Sequence, residues 1–144
     1  MTKLRHVGIL VHDLEMSVKL YEDVFGFVET NRGTLMGEFS EKLFNLSNFQ
    51  LTYVKLKAKG CKTLLELWKI KDFLPDWPRG YSHIALTVTN LDEIYKKLRE
   101  RKIEFFSPPI KAKDSNVRLC FARDYDGNIL ELVEELSKRS TNNP

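Results

Sequence analysis

Two histidines and two glutamates occupy matching positions of an internal repeat, and their side chains are of the kinds that bind divalent metal ions. The segment 6–15 (HVGILVHDLE) aligns with the segment 83–92 (HIALTVTNLD), 77 residues further along the chain. The tripeptide Leu-Glu-Leu at 65–67 recurs at 130–132, 65 residues further along. Imidazole nitrogens and carboxylate oxygens suit Ni²⁺, Zn²⁺, Co²⁺, Fe²⁺ or Mn²⁺. The candidate ligands of one such ion are His6, Glu66, His83 and Glu131.

Strand alternation predicts that these four side chains share one face of a sheet. In the predicted strand 4–11, His6 points away from the apolar face that packs against a helix, and the other three candidates do the same in their own strands. A carboxylate among apolar neighbours is unfavourable by several kcal/mol unless it is paired or bound to a metal. Each residue alone could be a half-exposed sheet position with local hydrogen bonds. The matched positions in both halves favour one shared metal site.

The elements that must position these residues repeat as well. One helix is predicted at 14–25, where Met16, Leu20 and Val24 recur at helical spacing. A second helix begins after Asn90, which resembles an N-cap, and extends to about residue 101.

Four strands are predicted in each half, so that each half is a βαβββ module. Those of the first half lie at 4–11, 33–40, 48–57 and 62–70. Those of the second half lie at 82–89, 104–107, 116–123 and 128–135, with Asp126-Gly127 as a hairpin turn before the last strand. The predicted fold class is therefore α+β. We expect a single domain, 1–144, made of tandem modules 4–70 and 81–135, a linker at 71–80 and a flexible tail at 137–144.

Composition excludes several classes of protein. Hydrophobic residues make up 42% and charged residues 30% of the 144, as in soluble globular proteins. No apolar stretch approaches the ~20 residues of a membrane helix, and a net charge of +3 is a weak signal for nucleic acid binding. Two cysteines do not make a disulfide framework, so we expect idle thiols in a reduced, cytoplasmic protein.

Two segments carry a resemblance to a known family. They are 81–88 (YSHIALTV) and 124–134 (DYDGNILELVE). Together with the repeat, they make the chain similar to the vicinal oxygen chelate superfamily of glyoxalases, bleomycin resistance proteins and extradiol dioxygenases. The resemblance is closest to bacterial glyoxalase I (lactoylglutathione lyase) and covers about residues 4–135.

The resemblance implies both a fold and a ligand set. In this family, paired βαβββ modules curl into a U-shaped mixed sheet around one metal ion. The first and last strands of each module supply one ligand each. By resemblance, the metal ligands are then His6, Glu66, His83 and Glu131, with one divalent ion per site.

The implied function is that of a metal-dependent isomerase or lyase. It would move a proton next to a carbonyl through an enediolate that the metal stabilises, with Glu131 as the better candidate for the base and Glu66 for the acid. The alternatives are an epimerase of the methylmalonyl-CoA type, a ring-cleaving dioxygenase and a metal-free drug-binding protein. Leu10 and Ile70 stand where glyoxalase I has an arginine and an asparagine that bind glutathione. The substrate, a thiol adduct or an acyl thioester, therefore stays open.

Four further residues are candidates for substrate binding. Trp68 follows Glu66 by two positions and should point into the same cavity, where it either stacks on a substrate or closes the core. Arg118 could hold a carboxylate or phosphate, or lie on a solvated basic face. Tyr53 and Phe121 complete this set. Because the module edges are unpaired strands, we also expect a homodimer.

Overall fold

The computed structural model describes residues 1–72, 80–125 and 127–137. Most of the predicted linker, Asp126 of the predicted hairpin turn and residues 138–144 of the predicted tail lie outside this range. Within it, the chain forms a large mixed sheet with helices packed on it, as the predicted α+β fold requires.

The first half contains four strands and two helices. They are β1 (Lys3–Leu10), α1 (Leu14–Phe25), β2 (Val28–Leu35), α2 (Glu38–Phe44), β3 (Leu51–Lys57) and β4 (Leu64–Ile70). The second half contains five strands and one helix among its described residues. They are β5 (Gly80–Val88), α3 (Leu91–Glu100), β6 (Glu104–Phe105), β7 (Ile110–Lys111), β8 (Val117–Arg123) and β9 (Ile129–Glu135).

Strand pairing repeats between the halves. The sheet order is β2-β3-β4-β1-β5-β9-β8-β6, and β7 pairs with β8. The first strand of each half lies parallel to the last strand of that half, β1 with β4 and β5 with β9. The two halves join where β1 runs antiparallel to β5. The candidate ligands therefore stand on the four central strands of the sheet.

Helix α1 forms as predicted, but it packs with a different face. Asp13 caps it by accepting a hydrogen bond from the backbone N–H of Met16 at 2.9 Å. Leu14 and Val18 are buried against β3 and β4, while Met16, Leu20 and Val24 are 72%, 51% and 66% exposed. The helix has two apolar stripes, and regular spacing alone did not show which of them meets the sheet.

The predicted strand at 33–40 is wrong, because β2 ends at Leu35 and α2 follows. Gly37 has φ 76°, and Ser40 donates a hydrogen bond to the Gly37 carbonyl at 2.9 Å. An ion pair of 2.7 Å between Lys42 and Glu38 supports the helix. Its Phe44 ring is buried and lies 4.9 Å from the Phe121 ring of β8. Helix α2 thus packs on the face of the sheet that carries the candidate ligands.

Helix α3 covers the opposite face of the second half. Asn90 accepts a hydrogen bond from the backbone N–H of Glu93 at 3.1 Å, as the capping pattern predicts. Leu91 packs with Leu132 and Cys120, and burial raises the pKa of the Cys120 thiol to about 12. Among the described residues, no helix is long and apolar enough to cross a membrane.

Candidate metal centre

Three of the predicted ligands, His6, His83 and Glu131, each bring one atom to a common point at the centre of the sheet. The Nε2 atoms of His6 and His83 are 2.7 Å apart. Oε2 of Glu131 lies 2.8 Å from His6 Nε2 and 3.2 Å from His83 Nε2. Neighbouring ligand atoms of an ion bound at about 2.1 Å are separated by roughly 3.0 Å in an octahedral site. The three atoms therefore have the mutual spacing of metal ligands.

The fourth predicted ligand, Glu66, approaches the cluster from β4. Its Oε2 lies 3.3 Å from His6 Nδ1, and its Oε1 accepts a hydrogen bond of 2.6 Å from the indole N–H of Trp68. The ligand atoms of His6, Glu66 and His83 form a buried group whose members all lie within 4.8 Å of one another, and this group could hold a metal ion. All four side chains come from one chain, and Ser82 Oγ holds His83 Nδ1 at 2.7 Å.

Strand register explains why the two imidazoles can meet. His6 stands opposite Ala85, and His83 stands opposite Gly8, so each ring lies over a small residue of the neighbouring strand. A Cβ atom at position 8 would overlap the His83 ring. Gly8 also pairs with Glu66, just as Ala85 pairs with Glu131. The small residues at these two repeat positions therefore make room for the cluster.

Burial makes the charges of the cluster depend on one another. Exposures are 2% for His6, 5% for Glu66, 5% for His83 and 7% for Glu131. Burial lowers the pKa of His6, but Glu131 and Glu66 outweigh it and hold that pKa above 6.5. Burial raises the pKa of Glu131, but His6 and His83 outweigh it and hold that pKa below 4.5.

Unsatisfied atoms in this cluster show that the residues fit a cation. His6 Nδ1, Glu66 Oε2 and Glu131 Oε2 are buried and lack a well-aligned hydrogen bond among the described residues. Buried polar atoms without partners are rare and call for an explanation. A divalent ion beside His6 Nε2 would account for Glu131 Oε2, because carboxylates and imidazoles are its ordinary ligands, whereas Glu66 Oε2 faces the other nitrogen of His6.

A cavity of about 160 Å³ opens beside the cluster. Three of the predicted substrate-binding residues, Tyr53, Trp68 and Phe121, line it together with Glu66 and Glu131. Helix α2, which the sequence did not predict, contributes Phe39 and Leu43 to its wall. The wall is therefore largely aromatic and aliphatic, and it includes the two carboxylates.

Arg118 does not line this cavity, so of its two predicted roles the structure does not support substrate binding. It donates hydrogen bonds to both carboxylate oxygens of Asp92 on α3, at 2.7 and 2.8 Å, and lies 3.4 Å from Glu134. Since neighbours on a strand alternate between faces, Arg118 points to the helix side, and Phe121 points to the cavity. The cations of the cavity wall are Arg5 and Lys55, which sequence reasoning missed. Lys55 pairs with Glu66 in the register of β3 and β4, so alternation along β3 could have indicated it.

The chain belongs to the glyoxalase/bleomycin resistance protein/dioxygenase superfamily, whose family model matches residues 3–132. Its relatives include a protein of Synechocystis named "Probable lactoylglutathione lyase", 27% identical, with 94% of this chain and 98% of the relative aligned. The lactoylglutathione lyase of Salmonella typhimurium is 25% identical, with 92% of each chain aligned.

Among solved structures, the chain resembles methylmalonyl-CoA epimerase from Mycobacterium tuberculosis. The TM-score is 0.72 and the identity 23%, with 93% of this chain and 88% of the epimerase covered. This similarity supports the fold, in agreement with the sheet and helices described above.

Proposed function

We propose that this protein is a divalent-metal-dependent isomerase or lyase of the glyoxalase I type. The observation that carries the proposal is the buried meeting of two imidazole nitrogens and a carboxylate oxygen at 2.7–3.2 Å, with a second carboxylate beside them. The proposed ligands of one ion are His6, Glu66, His83 and Glu131. The names of the relatives, which are lactoylglutathione lyases, support the same class of reaction.

The glutamates are the proposed acid and base. When bound, a divalent ion supplies a Lewis acid that stabilises negative charge on substrate oxygens. Glu131 removes the proton from the carbon next to the carbonyl, and Glu66, which enters this step as the carboxylic acid, gives its proton to the resulting enediolate. The cycle closes when Glu131 releases its proton to solvent and Glu66 takes one up. Glu131 suits the role of base because its Oε2 contacts His6 and His83 among the described residues. That oxygen can move away from the two imidazoles and take up a proton. The apolar wall keeps water from competing for that proton.

The cavity favours a substrate with a negatively charged group. Arg5 is already paired with Glu135 at 2.7 Å, whereas Lys55 Nζ lies 3.9 Å from Glu66 Oε2 in the loosest ion pair of the cluster. Lys55 is therefore free to turn its ammonium towards an anionic group of the substrate. A substrate with a carboxylate has such a group, and so does an acyl thioester of a carrier that bears phosphate groups.

A second candidate, an epimerase acting on an acyl thioester, is favoured by Leu10 and Ile70. Both pack against the apolar core cluster that surrounds Trp68 and Phe121. They take the places of the arginine and asparagine with which glyoxalase I is expected to bind glutathione. Proton transfer next to a thioester carbonyl would use the same two glutamates, so the two candidates differ in substrate and not in the proposed machinery.

Metal loading followed by a substrate panel tests the proposal. The purified protein, incubated with Ni²⁺ or Co²⁺ and freed of excess metal, is expected to hold one ion per chain. It should then convert the hemithioacetal of methylglyoxal and glutathione, or exchange the α-hydrogen of methylmalonyl-CoA with deuterated water. A protein that holds no metal after loading would be a metal-free binding protein. Consumption of O₂ with a catechol would instead indicate a ring-cleaving dioxygenase.

A further inference from the structure

Trp68 makes the shortest hydrogen bond to either glutamate of the cluster. Its indole N–H donates to Glu66 Oε1 at 2.6 Å, and the side chain is 2% exposed. The indole ring lies 4.2 Å from the His83 ring and 5.8 Å from the Phe121 ring. Contacts on several sides fix the indole, and the fixed indole in turn fixes one oxygen of Glu66.

We propose that Trp68 is a positioning residue that makes Glu66 a one-oxygen ligand of the metal, an inference that rests on the proposed metal site. With Oε1 engaged by the indole, Oε2 is the oxygen left for an ion; without metal it faces His6 Nδ1 at 3.3 Å, the nitrogen turned away from His83 and Glu131, and it would have to leave that nitrogen to join them. That oxygen is also one of the buried atoms without a well-aligned partner among the described residues. Oε1 keeps a second lone pair, but the hydrogen bond to the buried indole restricts rotation of the carboxylate, so Oε2 is the oxygen better able to turn towards an ion.

Comparison of the two halves of the internal repeat shows that the tryptophan two positions after the glutamate occurs in the first half only. The residue that matches Trp68 in the second half, 65 positions later, is Val133, which has no side-chain donor. Glu131 is instead in contact with the Nε2 atoms of His6 and His83. Trp68 therefore makes the two glutamates chemically unequal: Glu66 is held at one oxygen by an indole that is not a metal ligand, whereas the contacts of Glu131 Oε2 among the described residues are with the two proposed imidazole ligands.

Replacing Trp68 by phenylalanine removes the N–H donor and keeps an aromatic ring. The matched control is Leu51→Ala, which removes volume from the same core cluster at a residue that pairs with Ile70 and not with Trp68. Both variants are expected to melt at a lower temperature than the wild type. Only Trp68→Phe should bind Co²⁺ 10- to 100-fold more weakly, the usual effect of losing a partner that orients a ligand.

The Co²⁺ absorption spectrum gives a readout that a purely structural role would not change. Trp68→Phe should shift the d–d bands of the bound ion, because Glu66 can then present either or both oxygens. Leu51→Ala should leave the bands in place. Wild-type affinity and bands in Trp68→Phe, or equal losses in both variants, would overturn the role of Trp68 while leaving the metal site intact.

The metal-free protein separates this inference from the proposed function. In a ¹⁵N spectrum of the wild type with EDTA, one indole N–H signal should move when Glu66 is replaced by glutamine, because its acceptor loses a charge. An unmoved signal would overturn the contact itself. A wild type that binds no Co²⁺ in the same titration would overturn the proposed function, and the role of Trp68 as a positioning residue with it.

Discussion

The His6 imidazole links the two glutamates, since each of its nitrogens faces one of them. Nδ1 lies 3.3 Å from Glu66 Oε2, and Nε2 lies 2.8 Å from Glu131 Oε2. Without metal, a proton on His6 offsets the two carboxylates that face it. This is why the pKa of His6 is raised and that of Glu131 lowered although both groups are buried.

These opposite pKa shifts predict a pH optimum for the stability of the metal-free protein. The contribution of His6 is fully present below its unfolded pKa of about 6.5 and is lost as pH rises through its raised folded pKa. The contribution of Glu131 is present above an unfolded pKa of about 4.3 and is lost as pH falls through its lowered folded pKa. Urea unfolding in EDTA should therefore show the highest free energy of unfolding between these two values. A free energy that keeps rising up to pH 9 would contradict the prediction.

Replacing Glu131 by glutamine should separate its chemical role from a structural one. The variant lacks the base and one charged ligand, so activity should fall by at least ~10²-fold and metal affinity should fall with it. The metal-free variant should also melt at a lower temperature than the wild type near pH 6, because His6 loses its closest carboxylate. Isothermal titration with Co²⁺ and melting curves in EDTA measure both effects.

Glu134→Gln is the matched control for that substitution. Glu134 stands on the same strand and lies 3.4 Å from Arg118, away from the cluster. The control should keep the metal affinity and activity of the wild type, with a small loss of stability at most. Equal metal affinity in the Glu131 and Glu134 variants would remove Glu131 from the ligand set.

At the scale of elements, the pairing of β1 with β5 decides whether the imidazoles can meet. Replacing Gly8 by alanine should displace the His83 ring, because the added Cβ would overlap it. We expect Co²⁺ affinity to fall by at least ~10-fold, in line with other changes to groups that orient a ligand. Gly8 is not among the glycines with positive φ, so alanine adds no backbone strain of that kind and the fold should survive, as circular dichroism can check.

Ala85→Gly is the control for Gly8→Ala, because these positions match in the repeat. Ala85 pairs with His6 and carries a Cβ that the first half lacks at Gly8. Removing that Cβ creates no overlap, so metal affinity should change much less than in Gly8→Ala. Similar losses in both variants would mean that strand flexibility, and not the His83 ring, is responsible.

Alternation and repetition explain how much of the fold the sequence could predict. Period-two patterns placed β1, β3, β4, β5, β8 and β9 but largely missed β2, at Val28–Leu35. The repeat predicted that His6 and His83 share one face of the sheet. The same logic failed for Glu38–Phe44, because a short amphipathic helix and a strand can share an apolar run of this length. It also failed for Arg118, whose strand was predicted without assigning its faces. Helix packing was ambiguous at Met16, because α1 has two apolar stripes and one of them is exposed.

At the scale of the molecule, the pairing of β1 with β5 bears on whether one chain can supply all four proposed metal ligands. The sequence left open whether the ligands come from one chain or two. In the structure, both halves of a single chain join at these strands, and His6 contacts His83 and Glu131 directly. We therefore predict that the metal centre forms within one chain, whether or not the homodimer expected from the sequence exists.

Metal binding should consequently be independent of assembly. The protein, loaded with Co²⁺ and diluted across the range in which light scattering shows a change of mass, should keep one ion per chain and the same Co²⁺ spectrum. The physical reason is that all four proposed ligands lie on strands joined by backbone hydrogen bonds within one chain. If the bands are lost in step with dissociation, ligands must be shared between subunits. The single-chain pairing of β1 with β5 would then not be the arrangement that binds the metal.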